Sequence, residues 1–240
     1  MSMNANVLPR SGLMGSAAHV TERAQAEVFG EPHDWNWNPE NFAREQIRGL
    51  VRRVFFTHRA QAVKQVVFCA AEPHTDVGPI CDQVGRALAL ETSAEIAIVS
   101  RNAGLPETAQ VQIQSPRSGS AGIKSWSTQL AINLWRVPQS GLRELCRDPG
   151  TGRYWRSILA ELQNNFEYVV IHGPVAGASS ESALLGQLAD GIILVLEAHN
   201  TRRATARKIK ETLEGTQSRI LGTVLSERTF PVPERIYRRL

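Results

Sequence analysis

Side chains able to do chemistry gather at three places in this chain: Glu72-Pro73-His74-Thr75-Asp76, the thiol of Cys81, and His172 with Ser179 and Ser180 beyond it. Two imidazoles and a thiolate are ligand types that Zn²⁺ takes, and a serine near a histidine is the raw material of a hydrolase. Neither pattern comes with its usual frame. Cys69, Cys81 and Cys146 are far apart and form no CxxC pair or other ligand spacing. No Gly-x-Ser-x-Gly elbow presents Ser179 or Ser180. Solvated loop histidines and a core cysteine are the plainer reading, and no metal is expected.

The elements around these residues give them a common address. Val66-Val67-Phe68-Cys69-Ala70 is a short apolar run that reads as a buried strand, and an amphipathic helix follows from about Val77 to Leu90. Further strand runs fall at 96–99, 131–134, 168–171, 192–196 and 220–225, with helices expected over 39–57, 154–162 and 202–213. Proline at its start, Glu40 in its first turn and apolar residues at helical spacing mark the first of these helices. Apolar strands alternating with helices predict an α/β fold, a doubly wound and mostly parallel sheet covered on both faces. Strand 66–70 should lie centrally with strand 168–172 beside it. In such sheets ligands sit beyond the carboxyl ends of the strands, so the residues just after each strand are the ones to inspect.

Composition bounds the rest. The 240 residues suit one medium domain, and 42% apolar residues suffice for a buried core. Residues 1–38 lack a sustained period and read as a tail ahead of a domain over 39–240, with Trp35 and Trp37 stapling it down or docking a partner. Residues 106–127 read as loop. The net charge of +4 is a mild excess, which argues against a dedicated nucleic-acid binder. No run reaches the 18 or more apolar residues of a membrane helix, so a soluble, cytoplasmic chain is expected, reaching a membrane only through a partner. The cations Arg202, Arg203, Arg207, Lys208 and Lys210 crowd one helix, and a solvated face or an anion-binding one are both open.

Four segments in order then carry a resemblance. Phe166-Glu167-Tyr168-Val169-Val170-Ile171-His172-Gly173-Pro174, Ala189-Asp190-Gly191-Ile192-Ile193-Leu194-Val195, Thr201-Arg202-Arg203 and Leu221-Gly222-Thr223-Val224-Leu225 are similar to segments of the bacterial polysaccharide-assembly tyrosine kinases, P-loop proteins related to ParA and MinD. Upstream, Glu45-Gln46-Ile47-Arg48-Gly49-Leu50-Val51 resembles the helix through which such kinases associate, with Val51 where a second arginine is expected. The resemblance therefore implies a partner-binding role for Glu45, Arg48 and Val51.

At the nucleotide site the pattern breaks. Ala70-Ala71-Glu72-Pro73 matches the lead-in to a Walker loop, but His74-Thr75-Asp76-Val77-Gly78-Pro79 follows where the family has glycines, lysine and a hydroxyl residue. A P-loop works because glycines let backbone N–H groups curl round phosphates, lysine neutralises their charge and Ser/Thr holds Mg²⁺. The family's metal-site carboxylates fall on Ser100, Asn102 and His172. With lysine and carboxylates absent, the expectation is a chain that is not an enzyme and takes no nucleotide cofactor. It would serve instead as a regulatory or scaffolding partner of an active tyrosine kinase or a membrane polysaccharide co-polymerase, with self-association open. An enzyme with an unconventional nucleotide or phosphate site, or a ParA-like surface or nucleic-acid binder, are the alternatives.

Overall fold

A computed structural model describes residues 39–57, 62–101, 122–145 and 152–227. All lie in the second of two units into which the chain divides, residues 37–240. The first helix, α1 (Pro39–Phe55), carries Glu40 in its first turn and Arg52 and Arg53 in its last, each sign at the helix end whose dipole it complements. It leads to β1 (Gln65–Ala70), α2 (Gly78–Glu91) and β2 (Ile96–Ser100). After a short 3₁₀ turn over Ile123–Trp126 come β3 (Thr128–Ala131), β4 (Leu134–Pro138) and α3 (Gln139–Leu145). The chain continues through α4 (Gly152–Asn165), β5 (Tyr168–His172), α5 (Ser180–Leu188), β6 (Gly191–Glu197), α6 (Arg203–Gly215) and β7 (Ile220–Ser226).

These strands form one seven-stranded sheet in the order β3-β4-β2-β5-β1-β6-β7. Every pairing is parallel except the β3–β4 hairpin at one edge. The expected doubly wound fold is what the sequence adopts, with β1 central and β5 beside it. All six residues of β1 are buried, which is why residues 66–70 read as an unbroken apolar run with no alternation.

Helices cover both faces. On one, Trp155, Ile158 and Leu162 of α4, Leu185 of α5 and Ile209 and Leu213 of α6 pack over Val67, Cys69, Val169 and Ile171. On the other, Val51 and Val54 of α1 and Cys81, Val84 and Leu88 of α2 pack over Phe68, Ile98, Val170 and Ile193. Gly85 lets α2 approach the sheet, since a Cβ there would stand 2.4 Å from Cδ1 of Ile98.

The strand expected over 131–134 is not one strand. Residues 132 and 133 form the turn between β3 and β4, and Ile132 is 92% exposed. The cause is Asn133, whose side-chain amide donates to the carbonyls of Thr92 (2.8 Å) and Ala94 (3.2 Å). By holding the chain that follows α2, it turns the backbone at a point where apolar content alone suggested continuation. Of the loop expected over 106–127, the described part contains the 3₁₀ turn, with Ile123 buried. Trp35, Trp37, Asn102 and Cys146 lie outside the described residues.

Candidate functional site

The carboxyl ends of β1, β5 and β6 meet where the sequence pointed. After Ala70 the chain turns, the N–H of Thr75 donating to the carbonyl of Glu72 (3.2 Å), and α2 starts at Gly78. The carboxylate of Asp76 accepts the Gly78 N–H at 3.0 Å. Asp76 thus supplies an internal anion at the α2 N-terminus, where unpaired N–H groups and the dipole favour negative charge. Pro79 removes one donor from the same turn.

The rest of the loop is equally unlike a phosphate cradle. Residues 72–78 include none of the positive-φ positions found among the described residues, so the curl that glycines permit is not formed. Val77, where the resemblance would place the Walker lysine, is 1% exposed and packs in the α1/α2 core, so its side chain faces inward. Thr75 is 8% exposed, and its hydroxyl has no hydrogen-bond partner among the described residues. His74, half exposed, sets Nε2 3.3 Å from a carboxylate oxygen of Glu197 at the end of β6 and 3.7 Å from one of Glu72. It ties the β1–α2 loop to β6.

His172 ends β5 in register with Phe68. Its ring lies 4.0 Å from where a Gly78 Cβ would stand, and Asp76 lies 3.3 Å from that point, so Asp76, Gly78 and His172 form one cluster. Burial lowers the His172 pKa, the nearby Arg101 guanidinium lowers it further, and Asp76 and Asp82 pull the other way. The ring is therefore neutral near pH 7. Gly173 follows because a Cβ there would meet Val67 Cγ1 at 2.6 Å and Cys69 Sγ at 2.7 Å. Ser100 ends β2, half-buried, while Asn102 lies just beyond the described residues.

Cys81 and Ser179 each have a structural place. Cys81 is fully buried under α2 and its thiol is pushed well up by desolvation, which opposes the thiolate that a metal needs. Cys69, equally buried, is pushed up to about 12. Ser179 caps α5, its hydroxyl accepting the Glu181 N–H at 3.1 Å. Among the described residues no group of three ligand-type side chains could hold a metal ion.

The implied interface on α1 divides. Glu45 and Arg48 are exposed and pair with each other at 2.8 Å. Val51 does not belong with them. It is fully buried in the core beneath α1, so the resemblance misplaced it as a partner contact. The physical reason is helical spacing: Val51 and Val54 form the inward stripe, and an arginine there would have to leave the core.

A neutral histidine makes stability depend on pH with a definite sign. Below the ordinary histidine pKa of about 6.5 the unfolded chain takes a proton that folded His172 resists, so its contribution is full above that pH and lost as pH falls. Urea midpoints of wild type and His172→Asn, measured at about pH 7.5 and about pH 5.5, should show a smaller acid loss in the variant. Parallel losses would mean that His172 is not the group responsible.

One motif residue has a structural role that its sequence context did not disclose. Oδ2 of Asp190, at the entry to β6, accepts the backbone N–H groups of Lys64 (2.7 Å) and Gln65 (2.8 Å), and its own N–H donates to the Gln65 carbonyl (3.0 Å). The aspartate before a buried strand run was visible, but its partners lie over a hundred residues away.

Sheet order, covering helices and a loop leading from β1 into α2 define a P-loop NTPase-like fold. Comparison with known proteins agrees. The chain is 31% identical over 74 residues to the tyrosine-protein kinase CpsD of Streptococcus agalactiae, a stretch covering 31% of this chain and 32% of that protein. It is 26% identical over 76 residues to the tyrosine-protein kinase YwqD of Bacillus subtilis, covering 32% of each. The chain thus spans about a third of the length of the curated relatives it matches. No family model matches. Among solved structures, the VpsO kinase domain superposes with a TM-score of 0.58 at 18% identity, covering 79% of this chain and 98% of that one. MinD from Aquifex aeolicus gives 0.51 at 13%, covering 74% and 73%.

These matches bear out the resemblance to bacterial polysaccharide tyrosine kinases and to MinD, and the fold class with it. They overturn one expectation. The absence of the Walker lysine and the carboxylates leads one to expect a chain that is not an enzyme, yet the curated relatives it matches are named tyrosine-protein kinases, which points to an enzyme. The residues at 77, 100 and 172 bear on one way of holding phosphate and not on every way.

Proposed function

We propose that this chain serves capsule or exopolysaccharide assembly as a bacterial tyrosine-kinase-type domain, and that it docks a protein of that machinery through the outward face of α1. The observation that carries the reading is the Glu45–Arg48 pair, exposed on the association helix of the resemblance, its two side chains bonded to each other. The fitting partner is a tyrosine kinase or a membrane polysaccharide co-polymerase presenting the complementary charges, and a second copy of the chain would present the same pair.

Exchanging the pair separates its two roles. Glu45→Arg with Arg48→Glu restores the intrahelical contact in reverse but inverts the pattern a partner meets. Folding stability should change by less than about 1 kcal/mol, as expected for an exposed pair. Association with candidate kinase or co-polymerase domains, read by size-exclusion chromatography and calorimetry, should weaken at least about tenfold, a loss of about 1.4 kcal/mol. Undiminished association of the double variant would assign the pair to the helix alone.

A second reading is favoured by the names of the relatives. Phosphoryl chemistry here would draw its positive charge from Arg101, near enough to His172 to lower its pKa, instead of from a lysine at position 77. Titration with ATP and Mg²⁺, wild type against Arg101→Ala, tests it. Binding lost in the variant supports this phosphate site, and binding that persists unchanged rejects it.

A further inference from the structure

Helix α6 carries its charge at the wrong end. Arg202 is its N-cap residue and Arg203 its first, Arg207, Lys208 and Lys210 follow, and no acidic residue stands in the first turn. Cations there oppose the helix dipole, and no side chain caps the α6 N-terminus. Lys210 pairs with Glu214 at 3.4 Å. Among the described residues, no carboxylate forms an ion pair with Arg202, Arg203, Arg207 or Lys208, all of them exposed. Arg203, Arg207 and Lys210 recur along one exposed stripe that flanks the buried Ile209 and Leu213, with Glu214 at its C-terminal end.

A second feature lies on the same side of the sheet as α6. Near the end of edge strand β7 stands Leu225, 55% exposed, in register with Leu196 of β6. Leu196 packs into the core that contains Ile209 and Leu213, so Leu225 stands on the α6 side of the sheet. Because α6 runs back against the parallel strands it connects, its N-terminal half lies towards the strand ends where Leu225 is. An exposed aliphatic side chain beside unpaired cations is the combination that suits the interface of an anionic bilayer. Nucleic acid would use the cations but has no use for Leu225.

We infer that the N-terminal half of α6, with Leu225, is a peripheral docking surface for anionic lipid bilayers. The cations meet lipid headgroup phosphates, Leu225 enters the interface, and an arrangement unfavourable to the isolated helix is stabilised on the membrane. Contact is electrostatic first, so it falls as salt rises. This surface is separate from the α1 face, so binding here neither requires nor excludes the partner proposed above.

The test is co-sedimentation of the full chain with vesicles of phosphatidylcholine alone and of phosphatidylcholine mixed with phosphatidylglycerol. Wild type should sediment with the mixed vesicles only, and added salt should release it. Arg203→Glu with Arg207→Glu and Lys208→Glu should lower partitioning at least about tenfold, since each cation near the surface contributes to the attraction. Its melting temperature should equal or exceed that of wild type, because the dipole is now complemented. Leu225→Ser should lower partitioning several-fold with the salt dependence kept. Sedimentation with neutral vesicles, a triple variant that partitions like wild type, or duplex DNA that binds tighter than the mixed vesicles and displaces them would each overturn the inference. The wild-type lipid and salt series decides the question even if the triple variant fails to fold.

Discussion

Trp155→Ala is expected to lower folding stability by about 3–5 kcal/mol, the range for removing a large buried aromatic. The indole is 1% exposed at the heart of the core beneath α4, against an edge-on contact with Tyr154 at 5.2 Å between ring centroids. Its N–H also donates to a carboxylate oxygen of Glu181 at 2.8 Å, in the first turn of α5. One side chain therefore fills the α4–sheet interface and ties two helices together. A domain of ordinary stability has about 5–15 kcal/mol in total, so the loss is a large fraction of it. For a chain of this size each kcal/mol shifts Tm by about 2–4 °C, which gives a fall of roughly 6–20 °C in differential scanning calorimetry. Trp155→Phe keeps most of the packing and loses the hydrogen bond, and should fall well short of the alanine variant. A shift of under about 2 °C for Trp155→Ala would mean that the core tolerates the cavity.

Asp190→Ala should cost about 2–3 kcal/mol. Two backbone donors at the entry to β1 converge on one carboxylate oxygen, and hydrogen bonds to a charged acceptor are worth more than neutral ones. Without it, the N–H groups of Lys64 and Gln65 lose their acceptor at the point where central β1 pairs with the start of β6. Asp190→Asn keeps one acceptor oxygen and should lose about half as much. Urea unfolding with unchanged m-value measures both. An alanine variant within about 0.5 kcal/mol of wild type would show that water takes over both donors.

Asp190 also shows what made the sequence legible and where that ended. Strand and helix positions followed from local regularities, because a strand buried on both faces must be apolar throughout and a helix must repeat every three or four residues. The five apolar residues 66–70 of β1 and the helical spacing that marks α1 were readable for that reason. Side-chain direction was less accessible. Val51 sits in a motif whose outward residues, Glu45 and Arg48, were correctly placed on the surface, yet it turns inward. The hairpin turn at 132–133 was missed because its cause, the bonds from Asn133 to the end of α2, lies some forty residues away.

The sequence by itself determined the alternation of strands and helices, hence a mostly parallel sheet with chemistry-bearing residues at its carboxyl ends, because burial on both faces leaves only that layering. It also determined that no lysine stands at position 77. Only the tertiary structure decided what fills that place. Asp76 closes on the α2 N-terminus, Val77 joins the core, and His172 is held neutral by burial and by Arg101 from a neighbouring strand end. Those outcomes depend on distances between segments up to about a hundred residues apart, and local pattern carries no information about such distances until the sheet brings the segments together.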